Sequence, residues 1–207
     1  MLSGKRKKAA VKLKGLIEKE LATIGMDKVN FLVQIERGKR ADIASGEDLI
    51  KGLNQCGMDT VEFFISPNKG EEPKPLSKIA SGGEISRIVL ALKKILAGNY
   101  RVPTLLFDEV DAGIGGAVAE AVGMKLKEIA ASHQVFCITH LAQIACFGAD
   151  HFNVSKNVNK RRTVTQVELL DYETRLDEIS RMLGGRNISE KTRAHAREML
   201  QNAGDRR

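Results

Sequence analysis

Two adjacent carboxylates follow an apolar run in the middle of the chain. Asp108 and Glu109 come directly after the letters TLLF, which predict a buried strand over 104–108. In open α/β sheets, ligands bind at the carboxyl ends of the strands. There Asp108 could bind Mg²⁺, directly or through water, and Glu109 could orient a water molecule against a phosphate. The alternative is a strand that simply ends in solvated acids.

A Ser-Gly-Gly-Glu sequence stands at the start of a predicted helix over 83–97. The first backbone N–H groups of a helix are unpaired, and the helix dipole favours an anion beside them. Gly82 and Gly83 would let a phosphate approach the backbone closely, and Ser81 would add a hydroxyl donor. Glu84 completes the sequence. The alternative is an ordinary helix cap.

A histidine ends the next apolar strand, which is predicted over 134–139. His140 could donate a hydrogen bond to a phosphate, although a lone histidine at a strand end is more often a surface or capping residue. The order of the three features is informative: a Ser-Gly-Gly-Glu helix start, a strand with Asp-Glu, a helix over 117–131, and a strand with His.

The rest of the chain fits an α/β fold. A basic helix is predicted over 5–25, where apolar residues recur at steps of three and four. Further strands are predicted over 29–36, 60–66, 150–156 and 163–170, and a hairpin turn is predicted between the last two. Further helices are predicted over 141–147, 173–183 and 189–202, the last with Ser189 as its N-cap. Residues 38–59 read as a loop. Strands that alternate with helices predict a largely parallel sheet flanked by helices.

Composition limits the classes of function. The net charge of +7 over 207 residues fits a polyanionic partner, either nucleic acid or nucleotide, and fits equally a soluble surface with excess lysine. The three cysteines, Cys56, Cys137 and Cys146, show no CxxC spacing, which predicts reduced thiols rather than a metal site. No signal peptide and no apolar run of about 20 residues is visible, so a cytoplasmic protein without a membrane partner is expected.

With this order of motifs, the sequence resembles the ATP-binding cassette ATPases, and more specifically the RecN family of bacterial SMC-like DNA repair proteins. The residues that carry the resemblance are LSKIASGGEISRIVLALKKIL (76–96), PTLLFDEVDAGIGG (103–116), VFCITHLAQIACFGADHF (135–152) and RMLGGRNISEKTRAHAREML (181–200). Glu84 and the AGIGG turn favour this family over transporter cassettes.

The resemblance implies a P-loop NTPase head of the ABC/SMC type and assigns a role to each motif. Asp108 would be the Walker B ligand of Mg²⁺, Glu109 the general base and His140 the γ-phosphate switch. Asp111 would be the D-loop acid at the interface between two heads. The signature residues that would contact ATP held by a second head are Ser81, Gly82, Gly83 and Glu84.

One motif of the family is missing: no Gly-x-x-x-x-Gly-Lys-Ser/Thr occurs in the chain. Without this loop there is no backbone cradle and no lysine for the β- and γ-phosphates. The resemblance implies that an N-terminal Walker A lobe of the same protein supplies it. Residues 1–27 would then be the end of a coiled coil that re-enters the head, and 28–207 the C-terminal lobe. The isolated chain is expected to be inactive toward ATP.

The expected partners are the Walker A lobe, a second head in an ATP-sandwich dimer, and DNA, and the implied process is DNA double-strand-break repair and recombination near the bacterial nucleoid. The basic turn formed by Lys156, Lys160, Arg161 and Arg162 could contact DNA phosphates, or it could be a solvated turn. Two other functions stay open: a non-catalytic head–head or DNA interaction module, and a fragment of a transporter cassette.

Overall fold

The computed structural model describes residues 2–37, 57, 59–79, 81–96, 102–159 and 162–204. The chain forms two compact units, Met1–Ile95 and Leu96–Arg207. Both combine helices with strands, so the predicted α/β class is confirmed. The boundary between the two units thus lies near residue 95. The predicted boundary at residue 27 concerns the end of a coiled coil in a longer protein and stays a prediction.

The first unit joins helices to an antiparallel sheet. Its elements are α1 (Leu2–Ala22), β1 (Asn30–Arg37), β2 (Asp59–Ser66), β3 (Lys74–Pro75), a 3₁₀ helix (Leu76–Lys78) and α2 (Gly82–Leu96). The strand order is β1-β2-β3, and the register runs from Asn30 opposite Ser66 to Arg37 opposite Asp59. The predicted helices and strands are present here within a few residues, whereas most of the predicted loop, at 38–56 and 58, lies outside the described residues.

Helix α1 packs against β1. Ile17 and Leu21 are completely buried on its inner face. The N–H of Phe31 donates to the Glu18 carboxylate at 2.9 Å, and Lys14 Nζ donates to the Phe31 carbonyl at 2.9 Å. Buried apolar contacts therefore hold the helix, and these polar contacts fix its position along the strand.

Two ion pairs fasten α1 at both ends. Near its start, Arg6 Nη1 lies 2.7 Å from Asp59 Oδ2 on β2. Near its end, Glu20 Oε1 lies 2.8 Å from Lys94 Nζ, which belongs to α2. The basic helix is thus an integral part of the unit that carries the Ser-Gly-Gly-Glu sequence.

The second unit holds the only parallel strand pair among the described residues. Its elements are β4 (Thr104–Phe107), α3 (Gly116–Ala130), β5 (Gln134–Cys137), α4 (Ala142–Ala145), β6 (Phe152–Asn159), β7 (Arg162–Leu169), α5 (Tyr172–Gly184) and α6 (Glu190–Asn202). Strands β4 and β5 are parallel, and α3 forms the crossover between them.

The other two sheets in the described part of the chain are antiparallel, so the prediction of a largely parallel sheet holds only for β4 and β5. Strands β6 and β7 are separated by two residues, and a connection that short can only reverse the chain direction. The predicted hairpin is therefore confirmed, while Lys160 and Arg161 of its turn lie outside the described residues.

Helices α4, α5 and α6 enclose the core of the second unit. The buried residues of this core are Ala142, Cys146, Leu176, Ile179, Ala196, Leu200 and Ala203. Ser189 caps α6 by accepting the N–H of Thr192 at 3.1 Å, as the sequence predicts. The buried Arg175 guanidinium donates to the carbonyls of Cys146 and Gly148 at 3.0 and 2.7 Å, which fixes the end of α4. Within the described residues, no helix is long and apolar enough to cross a membrane.

Candidate nucleotide and metal site

Strands β4 and β5 bring the predicted chemical residues to one edge of a sheet. The strands are parallel and in register from Thr104 opposite Gln134 to Phe107 opposite Cys137. The N–H of Ile138 then donates to the Phe107 carbonyl at 3.0 Å, which extends the pairing past the end of β5. Asp108 and Glu109 therefore leave the sheet at the same edge as His140, as the sequence predicts.

The two carboxylates after β4 are exposed and locally ordered. Asp108 Oδ1 accepts the N–H of Glu109 at 2.9 Å. Glu109 has φ of 56°, in the left-handed region, which costs a residue with a side chain about 1–2 kcal/mol. Its carbonyl accepts the N–H of Ala112 at 3.0 Å, which closes the turn. Strain of this kind concentrates at functional sites, where a side chain must take a particular direction.

Asp111 lies in the same turn but faces inward. The residue is 4% exposed. Its Oδ2 accepts from Thr139 Oγ1 at 2.6 Å and from the backbone N–H of His140 at 2.9 Å. The same oxygen lies 2.9 Å from His140 Nδ1. The sequence-based expectation gave Asp111 a role between two heads, whereas the structure buries its carboxylate and engages it within its own unit, because the turn folds back onto the end of β5.

His140 itself is open to solvent, with 75% of its side chain exposed. Next to it, Thr139 Oγ1 accepts the N–H of Leu141 at 3.1 Å while donating to Asp111. The histidine therefore combines a fixed backbone with an accessible ring, which suits a residue that contacts a ligand at the sheet edge.

A thiol of low reactivity ends β5. Partial burial, together with the negative charges of Asp111 and Asp108, raises the pKa of Cys137 to about 12. The thiol is therefore protonated at neutral pH and is a poor nucleophile and a poor metal ligand. Cys137 is half-buried, whereas Cys146 is the cysteine that lies in the core.

The Ser-Gly-Gly-Glu residues belong to the first unit and cap α2. Ser81 Oγ accepts the N–H of Glu84 at 3.4 Å, and the Ser81 carbonyl accepts the N–H of Ile85 at 3.1 Å. Ser81 and Gly82 are exposed, Gly83 is buried and Glu84 is half-buried. Ser81 thus caps the helix as the serine of a Ser-x-x-Glu sequence does. The ordinary helix cap, which the sequence left open as an alternative, is therefore present in the structure.

A buried arginine accompanies this helix start. Arg87 is 8% exposed, and burial lowers the pKa of its guanidinium while the charge of Glu84 opposes that shift. Glu84 therefore has an electrostatic partner one turn along its own helix. The sequence analysis did not single out Arg87, although the Glu-x-x-Arg spacing places the two side chains on one face.

The donor set fits Mg²⁺ bound together with a nucleotide. No group of three or more His, Cys, Asp or Glu side chains able to hold a metal ion occurs in the described residues. Mg²⁺ in nucleotide sites usually takes one or two carboxylates, with phosphates and water as the remaining ligands. The single exposed carboxylate of Asp108 matches that requirement, whereas a metal held by protein ligands alone does not fit.

A cavity of about 360 Å³ lies elsewhere in the second unit, beside β5 and the segment 144–152. Asp108, Glu109 and His140 do not line it. The candidate residues therefore lie outside this cavity and are exposed at the sheet edge.

Comparison with known proteins identifies close relatives. The chain is 41% identical over 199 residues to the DNA repair protein RecN of Halalkalibacterium halodurans, covering 96% of this chain and 34% of that protein. It is 38% identical over 203 residues to RecN of Bacillus subtilis, covering 96% and 35%. RecN of Xylella fastidiosa strain Temecula1 is 49% identical over 145 residues, covering 70% and 26%. The chain thus spans about a third of the length of these relatives. No family model matches the chain.

The solved structures of similar fold are Smc head domains. The Smc head domain with a coiled coil from Pyrococcus yayanosii matches with a TM-score of 0.55 and 19% identity, over 88% of this chain and 30% of that one. The Pyrococcus furiosus Smc head, solved with an extended coiled coil and the C-terminal domain of ScpA, matches with a TM-score of 0.51 and 20% identity, over 86% and 39%. This chain is therefore a RecN-like sequence with the fold of an SMC head, and it corresponds to the C-terminal portion of the RecN proteins.

Proposed function

We propose that this chain is the C-terminal lobe of a RecN-like ATPase head that acts in DNA double-strand-break repair. In the whole protein the head would bind Mg-ATP, close against a second head and hydrolyse the nucleotide. The observation that carries the proposal is the exposed set of Asp108, Glu109 and His140 at one sheet edge. This set lies in a sequence 41% identical to a DNA repair protein.

The three residues at the edge would divide the work. Asp108 would hold Mg²⁺, which when bound neutralises negative charge on phosphate oxygens. Glu109 would accept a proton from the attacking water, and its left-handed backbone turns it away from the strand direction of Asp108. His140 would contact the γ-phosphate with its exposed ring. None of these groups needs to move far, because the strands fix where each backbone leaves the sheet.

The signature residues would serve a nucleotide held by a second head. Ser81 and Gly82 are exposed at the start of α2, where unpaired N–H groups and the helix dipole favour a phosphate. The exposed Gly82 would let a phosphate approach the backbone, Gly83 would lie buried behind it, and Glu84 would stay in its cap beside Arg87. These residues belong to a different compact unit from Asp108 and His140, which fits a division of labour between two shared sites.

An uncovered apolar surface supports the need for a Walker A lobe. Leu106, Phe136 and Ile138 project from one face of β4 and β5 and are 69%, 47% and 59% exposed. Leu106 lies directly beside Phe136 in the sheet register. A contiguous apolar patch on a sheet normally marks an interface. The part of the relatives' length that this chain does not span would supply the covering lobe and the phosphate loop.

DNA is the proposed polyanionic partner, acting near the nucleoid in the cytoplasm. Support comes from the net charge of +7 and from relatives that are DNA repair proteins. Two members of the basic turn are described: Lys156 on β6, which is exposed, and Arg162 at the start of β7. None of the relatives reported above is a transporter, so the cassette of a transporter is no longer a candidate.

The test is ATP turnover by a single polypeptide that joins the N-terminal segment of the Bacillus subtilis relative to this chain. Glu109→Gln should slow hydrolysis by about 10²–10⁴-fold, the usual loss when a general base is removed. Glu120→Gln, at an exposed site on α3, is the matched control and should leave turnover unchanged. Equal turnover in the Glu109→Gln variant and the parent would overturn the role of Glu109.

A further inference from the structure

Three donor atoms converge on one oxygen of Asp111. Thr139 Oγ1 lies 2.6 Å from Oδ2, the backbone nitrogen of His140 lies 2.9 Å from it, and His140 Nδ1 also lies 2.9 Å from it. The carboxylate is 4% exposed, so water does not compete for this oxygen. One buried side chain thus holds both the backbone and the ring of the exposed histidine.

The short distance to the ring bears on where its hydrogen lies. Asp111 Oδ2 lies 2.9 Å from Nδ1, and a carboxylate only accepts hydrogen bonds, so a hydrogen on Nδ1 is favoured over a bare nitrogen there. With the hydrogen on Nδ1, Nε2 of a neutral ring is a bare acceptor. Nε2 can donate to an anionic oxygen only when the ring holds both protons. The contact of Asp111 with Nδ1 therefore determines whether Nε2 accepts or donates a hydrogen bond to a ligand.

The hydroxyl of Thr139 makes the arrangement directional. It accepts the N–H of Leu141 at 3.1 Å, so its own hydrogen is free to point at Asp111. The Thr139 hydroxyl and the His140 backbone N–H fix the position of Asp111 Oδ2, and the His140 ring rotates toward that oxygen. Asp111 Oδ2 therefore connects the turn after β4 to the end of β5.

We propose that Asp111 is a positioning residue, which keeps the hydrogen of His140 on Nδ1 and leaves Nε2 as the ring atom that faces a phosphate oxygen, to which it donates once the ring holds both protons. The position of the hydrogen on Nδ1 concerns this chain alone. The contact of Nε2 with a phosphate rests on the proposed function, because it takes His140 to face a nucleotide. Asp111 would thus act through the histidine and never touch the nucleotide itself.

The first test is nitrogen NMR of the full 207-residue chain labelled with ¹⁵N-histidine, at a pH where the rings are neutral. His140→Gln assigns the His140 signals by their loss. We expect the shift of a protonated nitrogen at Nδ1 and of a bare nitrogen at Nε2. A neutral His140 with its hydrogen on Nε2 overturns the proposal, whatever the activity of the protein.

Variants of Asp111 and Thr139 distinguish a role of Asp111 in positioning the His140 ring from a general role in stabilising the fold. Asp111→Asn keeps a carbonyl oxygen for the same three donors and should keep the Nδ1–H form. Asp111→Ala removes the acceptor and should give a mixed or reversed tautomer. Thr139→Val removes only the hydroxyl and should leave the tautomer unchanged. If Asp111→Ala does not fold, the parent and the Asp111→Asn chain still decide, because loss of the Nδ1–H form in either one contradicts the proposal.

Activity gives the second readout, in the joined polypeptide described above. Asp111→Ala should lower ATP turnover by about 10–100-fold through misplacement of the ring, and Asp111→Asn should restore most of it. Equal turnover in the parent and in a folded Asp111→Ala variant overturns the functional part. No turnover in the parent would refute the proposed ATPase function, while the tautomer measurement still decides whether Asp111 positions His140.

Discussion

At the scale of single residues, burial distinguishes three acidic residues within the segment 108–111. Asp108 and Glu109 are exposed. Asp111 is buried, and its Oδ2 lies within 2.9 Å of the Thr139 hydroxyl and of the backbone and ring nitrogens of His140. The exposed pair is available to a metal ion and to water. The buried one is committed to the protein. Chemical type alone does not distinguish these roles, since all three carry the same functional group.

Cys137 gives a prediction about pH. Its pKa of about 12 leaves far less thiolate at pH 8 than an ordinary cysteine has, so alkylation by iodoacetamide should be slower by on the order of 10²–10³-fold. The rate should rise as the pH approaches 12. Peptide mass spectrometry follows the modification of Cys137 separately from that of the other two cysteines.

The same shift has a consequence for stability. The folded-state pKa is above the ordinary value of 9.0, so the folded state favours the neutral thiol. This contribution to the free energy of unfolding is complete below about pH 9 and is lost as the pH rises toward 12. Alkylation in urea is the control, and equal rates in the folded and the unfolded chain would contradict the half-buried position of Cys137.

At the scale of elements, one close approach fixes how α3 lies against the segment that follows β5. A Cβ atom added at Gly123 would overlap the Phe147 ring and would lie 3.0 Å from the Gln143 carbonyl oxygen. Gly123→Ala should therefore lower the free energy of unfolding by about 1–3 kcal/mol, the usual cost of overpacking. Urea unfolding followed by circular dichroism measures the change.

The matched control is the same substitution in α1. Nothing lies within 4 Å of a Cβ added at Gly15. Gly15→Ala should therefore stabilise the protein by about 0.5–1 kcal/mol, because alanine is the better helix former. A gain of stability from Gly123→Ala equal to that from Gly15→Ala would show that α3 and Phe147 are not in contact.

The elements themselves were largely predictable because each is short, periodic and bounded by clear signals. The capping serine at 189 and the apolar letters TLLF located a helix and a strand to within one or two residues. Strand direction was less accessible, because pairing depends on contacts distant in sequence. For that reason the hairpin of β6 and β7 was foreseen from its short connection, whereas the antiparallel pairing of β1, β2 and β3 was not.

The candidate site was predictable in its residues but not in its connections. Motif order placed Asp108, Glu109 and His140 at one edge, since parallel strands end together. The link from Asp111 to Thr139 and His140 joins positions 28 and 29 residues apart. Only the register of β4 against β5 brings them together, and no local pattern encodes that register. The left-handed backbone of Glu109 was likewise invisible, because glutamate carries no preference for it.

At the scale of the whole molecule, the proposed nucleotide-binding motifs are divided between the two compact units. The unit Met1–Ile95 holds the Ser-Gly-Gly-Glu helix start, and Leu96–Arg207 holds the carboxylates and the histidine. The sequence of neither unit contains the Gly-x-x-x-x-Gly-Lys-Ser/Thr motif. Under the proposed function, a Walker A lobe and a second head would supply what these motifs lack.

ATP turnover in the presence of Mg²⁺ decides whether this chain is an incomplete part of an ATPase, when it is measured for the 207-residue chain alone and for the joined polypeptide at equal concentration. We expect no turnover above background for the chain alone. We expect turnover in the joined polypeptide, and its loss when the phosphate-loop lysine of the added segment is replaced. Robust hydrolysis by the pure 207-residue chain would contradict this assignment, because that result would require a phosphate-binding loop within these residues.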